Sequence, residues 1–459
     1  MKAESKKVHG LDFMFAVACY IQSSSLLSSF FVSITRQDSW VIVLFALIIC
    51  CPVVWIYARL IESFPSKNLF GILQTVYGKY LGNFFCGLYV LFFFILTSLN
   101  LSDLSEFVKA TIMPQTPLFV LSITFLMTSA WAVYVGGLRQ MVKYGFLMTM
   151  ICLLIVIATI ILTMNLMDFE NFLPTMDLQP KKYVQATNIV VTIPFAEVII
   201  FLMTTNHVQT GKRGFFPVFF GGVVIGCITI LLVIMRDIAV LGNTISLFSM
   251  PSFETLRMVS VSQTLSRMEI VFAFILIALL FFKVTWLYYV TVISAKQVLR
   301  FQDHRRLILL IGALAVTSGF ILYPNSLVHN ESGQKIVPLV WPIFEIILPL
   351  VTLIIAKFRG MTRKRQTESE TQSGSSESKS AAAPQSGSGS QSGSQSGSKF
   401  PSGSGKQSDS KSPSDSKEQG DSKSQPKSGS STGAKQGRDS QSQSRPKSSG
   451  SGSYRSQSV

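Results

Sequence analysis

The amino-acid sequence predicts an all-α polytopic membrane protein with ten transmembrane helices and a disordered C-terminal tail. Three observations lead to this fold class. The mean hydropathy of the 459 residues is +0.42. The first 361 residues are about 59% apolar, compared with roughly 45–50% in a soluble domain. Ten stretches have the about 20 mostly apolar residues that a bilayer span requires. A soluble globular enzyme is therefore excluded.

The ten predicted spans follow one another along the first 361 residues. Polar residues interrupt the first span and a proline interrupts the sixth, and the remaining spans are more continuous. Residues 60–83 are expected to contain a short amphipathic helix on the inner surface, and residues 246–261 a short helix that caps an outer vestibule. In chain order the predicted spans are residues 11–34, 39–59, 84–102, 117–135, 142–165, 186–205, 215–235, 268–293, 306–323 and 338–356.

The basic residues of the connections predict that both termini lie in the cytoplasm. With a cytoplasmic N-terminus, the inner connections and ends hold 19 Lys and Arg residues, and the outer ones hold eight, Arg236 among them. This asymmetry follows the positive-inside rule. The formal net charge of +16 is thus accounted for by the basic residues that set the membrane topology and by those of the tail. No nucleic-acid partner is predicted.

The sequence lacks the patterns typical of catalysis, of metal sites and of cofactor sites. It contains no phosphate-binding loop, nucleophile elbow or HExxH motif, so no enzyme, catalytic residue, metal or cofactor is predicted. The six cysteines lie in predicted spans, where cysteine behaves as a small hydrophobic residue, and no disulfide is predicted. We interpret the four histidines as solvated residues at span ends or in loops: His9, His207, His304 and His329.

The first span contains a polar break near its midpoint. Gln22, Ser23, Ser24 and Ser25 interrupt an otherwise apolar stretch, and serine hydroxyls compete with the helix for backbone hydrogen bonds. One interpretation is helix packing, since small polar residues are common between membrane helices. The alternative is an unwound stretch whose N–H groups and hydroxyls bind a small polar ligand.

The sixth span contains a similar break at Pro194. Proline kinks or breaks a helix because it lacks an N–H group and crowds the preceding turn. Glu197 follows three residues later, near the middle of the span, where an unpaired carboxylate is costly. Glu197 is therefore a candidate for ligand binding, and the alternatives are a structural ion pair and a protonated hydrogen bond between helices.

The two breaks occupy matching positions in two halves of five spans each. Spans one and six are the first members of these halves, and they enter the membrane from opposite sides, as an inverted repeat requires. Discontinuous helices at corresponding positions are the best sequence indication of a transporter-type binding site. The sequence therefore predicts a five-plus-five inverted repeat in which broken helices one and six enclose the site.

Three further charged residues lie in predicted spans eight and ten, where we expect structural or coupling roles. Glu269 and Lys283 are 14 residues apart, which places them on one helix face at a separation of about 21 Å. They therefore do not pair with each other. Lys283 either meets Glu197 or a backbone carbonyl, or extends its charged end toward the inner surface. Glu345 follows Pro342 by three residues.

Together these features resemble the endospore germination permeases, which are the B subunits of nutrient germinant receptors within the amino acid–polyamine–organocation superfamily. The resemblance covers about residues 8–360. It rests on the ten spans, the first break, Pro194-Phe195-Ala196-Glu197, Arg267-Met268-Glu269 and Lys283. It implies the inverted-repeat permease fold, residence in the inner membrane of a spore, and a complex with an A-type subunit and a lipoprotein C-type subunit.

The resemblance also implies a position for the ligand, between the first and sixth breaks. Superfamily members often have glycine at the first break, where this chain has serines, and its long tail is a second departure from the B subunits. The residues expected near the ligand are Gln22, Ser23, Ser24, Ser25, Thr192, Pro194, Phe195 and Glu197.

Two functions remain open at this point. The first is a receptor subunit that binds a small nutrient germinant and signals germination, and the germinant we expect is an amino acid. The second is a secondary active amino-acid transporter coupled to protons or sodium. Both use one fold, so the sequence does not separate them, and an ion or water conduit formed on activation is a third class.

The C-terminal region is predicted to be a separate disordered segment. Residues 362–459 contain 34 serines and only seven apolar side chains, too few to bury a core. We therefore divide the chain into a permease-like membrane domain, residues 1–361, and a Ser/Gly/Lys-rich cytoplasmic tail, residues 362–459.

Overall fold

The computed structural model describes residues 7–211, 214–259, 268–301, 304–322 and 326–361. The predicted disordered tail lies outside these ranges, and so does Arg267. Within them the chain is mostly helical, and the two β-strands have two residues each.

Fourteen α-helices lie within the described ranges, and several are joined by short 3-10 or π turns. Their bounds are α1 Gly10–Ser23, α2 Ser29–Thr35, α3 Ser39–Ser63, α4 Leu69–Tyr77, α5 Lys79–Thr111, α6 Leu118–Thr163, α7 Pro180–Val190, α8 Phe216–Leu241, α9 Pro251–Arg257, α10 Met268–Leu299, α11 His304–Leu322, α12 Ser326–Lys335, α13 Val337–Pro342 and α14 Leu348–Phe358.

Seven helical stretches of the described chain are long and apolar enough to cross a membrane, and Leu307–Leu322 is a shorter apolar helix. The stretches Gly10–Ser63 and Leu118–Leu166 have 54 and 49 residues, about twice the length of one crossing. Each coincides with two predicted spans, and Gly137 interrupts the second with non-helical dihedral angles (φ 60°, ψ 179°). The polytopic helical fold is confirmed, and the count of ten spans stays a prediction.

The two connections that were expected to contain short helices do contain them. Helix α4 lies within residues 60–83, and its apolar side chains are buried where it packs on α5 and α14. Helix α9 lies within residues 246–261 and packs on α8 and α10. Both connections are therefore part of the helical bundle.

Helix α1 packs closely on α6 and α8. A Cβ atom added at Gly222 of α8 would lie 2.7 Å from the carbonyl oxygen of Met14, and one added at Gly145 of α6 would lie 2.9 Å from the Cα atom of Ala16. Small residues of this kind let helix backbones approach closely in membranes. Glycine at these two positions therefore sets the distance between α1 and its neighbours.

Two short strands join the beginning of the first helical segment to the end of the sixth. Strand β1, Val8–His9, directly precedes α1, and strand β2, Val208–Gln209, follows the sixth segment. The strands are parallel, with Val8 opposite Val208. The beginning of helix one and the end of helix six therefore lie at the same end of the bundle, as an inverted repeat requires.

One basic residue that we assigned to an outer connection is buried in a helix instead. Arg236 lies within α8, where it donates hydrogen bonds to Asp237 and, at 2.8 Å, to the Thr159 hydroxyl of α6. Ser252 of α9 donates to the same aspartate. Arg236 thus joins helices, and it lies within α8 and not in the connection where we expected it. Its position next to an acid in the sequence allows the two charges to be buried as a pair.

Candidate functional site

The predicted break in the first helix is present as a change in helical winding. Helix α1 ends at Ser23, a 3-10 turn covers Ser24–Ser28, and α2 continues from Ser29. A 3-10 turn is wound more tightly than an α-helix and has poorer hydrogen-bond geometry. The backbone of the break thus remains helical. It does not form the unwound stretch that one of our two interpretations proposed.

The predicted break in the sixth helix is larger. Helix α7 ends at Val190, a π turn covers Val191–Phe195 and contains Pro194, and a 3-10 segment covers Ala196–Met203. The wide π turn accommodates a residue that has no N–H group to donate. Glu197 is the second residue of the 3-10 segment and is 1% exposed.

The tenth predicted span has an interruption that the sequence analysis did not identify as a break. A π turn, Ile343–Ile347, separates α13 from α14 and contains Glu345. Pro342 precedes Glu345 by the same three residues that separate Pro194 from Glu197. This repeated spacing was the available signal for the third interruption.

Lys283 of α10 connects the first and sixth breaks. Its ammonium nitrogen Nζ lies 2.7 Å from the Oε2 atom of Glu197 and donates a hydrogen bond of 2.8 Å to the hydroxyl of Ser24. The same nitrogen lies 4.9 Å from the ring centroid of Tyr20. Lys283 is 0% exposed, so the interpretation in which its charged end reaches the inner surface was wrong. Pairing with Glu197, the alternative interpretation, is correct.

The Glu197–Lys283 pair is incompletely satisfied. A buried ion pair compensates for its lost hydration only when hydrogen bonds satisfy the remaining polar atoms. Besides Lys283, the Tyr20 hydroxyl interacts with the Glu197 carboxylate, but the Oε1 atom has no hydrogen bond of regular geometry in the described part of the chain. An additional polar ligand could therefore complete the hydrogen bonding of this carboxylate.

The remaining residues predicted near the ligand divide into those with other hydrogen-bond partners and those that are simply buried. The Gln22 amide donates to Thr229 of α8 at 2.9 Å, and the Ser23 hydroxyl donates to the Tyr20 carbonyl at 2.6 Å. Thr192 lies 3.5 Å from the Asn188 side chain. Ser24 and Glu197 are therefore the predicted residues that Lys283 brings together, while Ser25, Pro194 and Phe195 are buried at the two breaks.

The other two charged residues singled out in the sequence, Glu269 and Glu345, lie in different helical segments. Glu269 lies in the first turn of α10, about four helical turns before Lys283, which lies near the middle of that helix. Glu345 is 0% exposed, and neither of its carboxyl oxygens has a hydrogen-bond partner within the described ranges.

Tyr57 of α3 is a site residue that the sequence did not indicate. Its hydroxyl lies 3.0 Å from the carbonyl oxygen of Ala196 and 2.6 Å from that of Glu345, and its one proton is shared between these two acceptors. It therefore holds the interrupted backbones of helices six and ten beside each other. The sequence around Tyr57 does not indicate this role, because it is an otherwise ordinary apolar span.

A second contact between an acid and a basic side chain lies beside α2, the helix that follows the first break. The Nε2 atom of His329 in α12 lies 3.3 Å from the Oδ1 atom of Asp103 in α5, and the His329 ring contacts Phe30 edge to face. The His329 side chain is only 15% exposed, so its assignment as a solvated loop histidine was wrong. The available signal was the row Thr97, Asn100 and Asp103, spaced by three residues along one helix.

His207 is also less solvated than we expected. It lies between the helical stretches Pro180–Met203 and Phe216–Leu247 and is half-buried. Burial lowers the pKa of the His207 imidazole from its ordinary value, because the charged form loses hydration. His207 is therefore expected to be neutral at physiological pH.

Aromatic side chains close the site toward the end of the bundle at which helix one begins. The ring of Phe201 stacks on Trp286 at a centroid distance of 4.5 Å and contacts Tyr20 edge to face at 5.4 Å. Phe13 contacts both Phe201 and Trp286. This cluster, Phe13, Tyr20, Phe201 and Trp286, separates the ion pair from that end.

A polytopic helical bundle whose interrupted helices meet at a buried charged site has the arrangement of a transporter-type membrane protein. Sequence comparison gives the family within this class. A family model described as spore germination protein matches residues 7–326, and the chain belongs to this family.

Two curated relatives come from Bacillus subtilis (strain 168). Spore germination protein KB is 22% identical over 348 residues, which covers 74% of this chain and 91% of the relative. The putative spore germination protein YfkT is 22% identical over 336 residues, covering 71% of this chain and 89% of the relative. The family resemblance inferred from the sequence is therefore confirmed.

Solved transporter structures share the fold at low sequence identity. MhsT in complex with L-phenylalanine superposes with a TM-score of 0.58 at 15% identity, covering 77% of this chain and 89% of that chain. The manganese transporter of Eremococcus coleocola gives 0.53 at 11%, with coverages of 75% and 78%. The nucleobase-cation-symport-1 transporter Mhp1, in a closed conformation, gives 0.52 at 10%, with 72% and 78%. These likenesses show the transporter fold, and the relatives are permease- and transporter-like.

Proposed function

We propose that the chain is the membrane subunit of a spore nutrient germinant receptor. It binds a small germinant, a zwitterionic amino acid, between the breaks of helices one and six, and it signals germination. The observation that carries this proposal is the buried Glu197–Lys283 pair, which contacts both breaks through Ser24 and Glu197 itself.

The charges of this pair are complementary to those of an amino acid. The carboxylate of a bound zwitterion would accept hydrogen bonds from Lys283, and its ammonium group would donate to Glu197. Two new ion pairs would replace one, and the net charge of the buried site would not change, so the exchange avoids leaving an unpaired charge in an apolar interior. An uncharged sugar would leave both residues paired as they are.

Binding in this position requires movement. One cavity that reaches the first break is lined by Ser25, Phe107 and Ser252 and has a volume of about 10 Å³, far below that of an amino acid. We propose that a ligand of this size enters by separating the breaks, which favours a different helix arrangement. A ligand shifts such an equilibrium by its difference in affinity for the two states, and this shift is the signal that we propose.

The proposed setting is the inner membrane of the spore, with both termini on the core side. An A-type subunit and a lipoprotein C-type subunit would read the change in helix arrangement. The membrane domain, residues 1–361, would carry the ligand site, and residues 362–459 would be a cytoplasmic extension.

The experiment is a germination assay on spores that carry Glu197→Gln, with a panel of amino acids and sugars. We expect a lost or strongly right-shifted response to the amino acid that germinates wild-type spores, with the protein still detected in spore membranes by immunoblot. The control is Glu331→Gln on the exposed surface of α12, where Glu331 pairs only locally with Lys335 at 2.5 Å.

Two results would contradict the site assignment. One is a wild-type dose–response curve for Glu197→Gln at normal protein level. The other is an equal shift for Glu331→Gln, which would indicate a general effect of removing acidic groups. If Glu197→Gln lowers the protein level, the neutral double variant Glu197→Gln/Lys283→Gln provides the test, since it leaves no unpaired charge.

A further inference from the structure

Glu345 is a buried acid that the proposed ligand site does not use. It lies in the π turn of the tenth helical segment and is fully buried, and both of its carboxyl oxygens lack a hydrogen-bond partner in the described part of the chain. An ionised carboxylate in such surroundings would lose its hydration without compensation. The protein must therefore neutralise this group or contain a cation beside it.

The interrupted backbones of helices six and ten place Glu345 near Glu197. Tyr57 binds the carbonyl oxygens of Ala196 and Glu345, and Tyr89 of α5 donates a hydrogen bond of 2.7 Å to the carbonyl of Phe344. These contacts fix the π turn while leaving the Glu345 carboxyl itself without a donor. The two Pro-x-x-Glu turns are thus neighbours in the centre of the bundle.

The charges around Glu345 do not balance if it is ionised. Lys283 is the basic group near it, and its Nζ atom already lies 2.7 Å from Glu197. Asp103, which also acts on Glu197, has His329 as its own partner. The titratable groups that act electrostatically on Glu345 in the described residues are Glu197, Lys283, Tyr20, Tyr57, Tyr89 and Cys50. With both glutamates ionised, this buried cluster would carry one uncompensated negative charge.

A proton fits this position better than a metal cation. Hard metal ions bind several oxygen ligands at once, and the Tyr57 hydroxyl lies against the carbonyl oxygens of Ala196 and Glu345, where it would compete with such an ion. The described ranges contain no group of three or more His, Cys, Asp or Glu side chains that could hold a metal ion. A proton needs a single carboxyl oxygen.

We propose that Glu345 is a proton-binding site, and that it holds one exchangeable proton at neutral pH beside the Glu197–Lys283 pair. The site is distinct from the proposed ligand contacts and exists without ligand. Its proton is bound as the O–H of a carboxylic acid and is exchanged with water when the bundle opens. The site gives the protein a proton-dependent state whether its function is reception or transport.

Infrared spectroscopy of the purified full-length chain in lipid nanodiscs tests the site without any ligand. We expect a C=O stretching band of a protonated carboxylic acid at neutral pH that shifts in D2O and disappears at strongly alkaline pH. The band should be absent in Glu345→Gln, shifted in Glu345→Asp and unchanged in Glu269→Gln. Circular dichroism confirms that each variant is helical.

Three results would overturn the proposal. A band that is unchanged in Glu345→Gln would assign the proton to another group, and a wild-type spectrum without any such band would show that Glu345 is ionised. A band that disappears when sodium chloride replaces choline chloride would identify a sodium site instead. If Glu345→Gln does not fold, Glu345→Asp decides, because an unshifted band there also excludes Glu345. A failed germination assay on Glu197→Gln would leave these spectra unaffected.

Discussion

At the scale of single residues, Lys283 determines how the two broken helices are held together. Its ammonium group contacts Ser24, Glu197 and the face of Tyr20, so three helical segments depend on one cation. A buried charge that loses its partner remains dehydrated and uncompensated. Replacing either member of the pair alone should thus cost more stability than replacing both.

A double-mutant cycle measures this dependence. We expect Lys283→Met to destabilise the purified protein by about 3–5 kcal/mol, since it leaves Glu197 buried without a partner. The double variant Lys283→Met/Glu197→Gln should recover much of this loss. The measurement is thermal unfolding in detergent followed by circular dichroism, and additive effects of the two substitutions would show that the pair is not coupled.

The sequence indicated the important residues of this site but not all of their contacts. Glu197 and Lys283 were recognisable because charges inside apolar spans are costly and therefore rare. Whether Lys283 paired or extended to the surface depended on which helix faces meet, and periodicity does not contain that information. Tyr57 was undetectable for the same reason, since its function depends on two carbonyl groups from distant parts of the chain.

At the scale of elements, the chain distorts helices one, six and ten without losing helical winding. Helix one tightens into a 3-10 turn, and helices six and ten widen into π turns next to prolines. The serines of helix one and the proline of helix six indicated the first two positions. The type of winding was not predictable from sequence, because hydroxyls and carbonyls of neighbouring helices decide which backbone groups are satisfied.

Close packing holds the undistorted part of helix one, and Gly222 tests it. We expect Gly222→Leu to destabilise the protein by about 1–3 kcal/mol, as overpacking does in other cores, because its side chain would meet the Met14 carbonyl and Val17. The matched control is Gly87→Leu in α5, where an added Cβ meets nothing within 4 Å. Thermal unfolding midpoints check both, and equal midpoints would show that α1 and α8 can separate at little cost.

At the scale of the whole molecule, the fold is shared with transporters, while the family is one of spore germination proteins. The sequence predicted this membrane fold well, because the length and hydropathy of membrane helices follow directly from the thickness of the bilayer. It does not separate reception from transport, since both need a ligand site between broken helices. The discriminating quantity is whether bound ligand crosses the membrane.

Our proposal predicts binding without concentrative uptake. Proteoliposomes that contain the full-length chain should bind the labelled amino acid that triggers germination, and they should not accumulate it when a proton or sodium gradient is imposed. The physical reason is that a receptor needs only a shift between two states. Vesicles with Glu197→Gln/Lys283→Gln give the background for binding. Saturable uptake that depends on the gradient would favour the secondary transporter instead.

The pairing of Val8–His9 with Val208–Gln209 constrains how this molecule can move. The first part of helix one and the last part of helix six are joined at one end by backbone hydrogen bonds, so they stay together at that end while their other ends can separate. Opening of the site would therefore occur at the breaks, with a large change between positions 24 and 197 and almost none between positions 9 and 209. Spin labels at these two pairs would record one lengthening distance and one constant distance as the molecule responds.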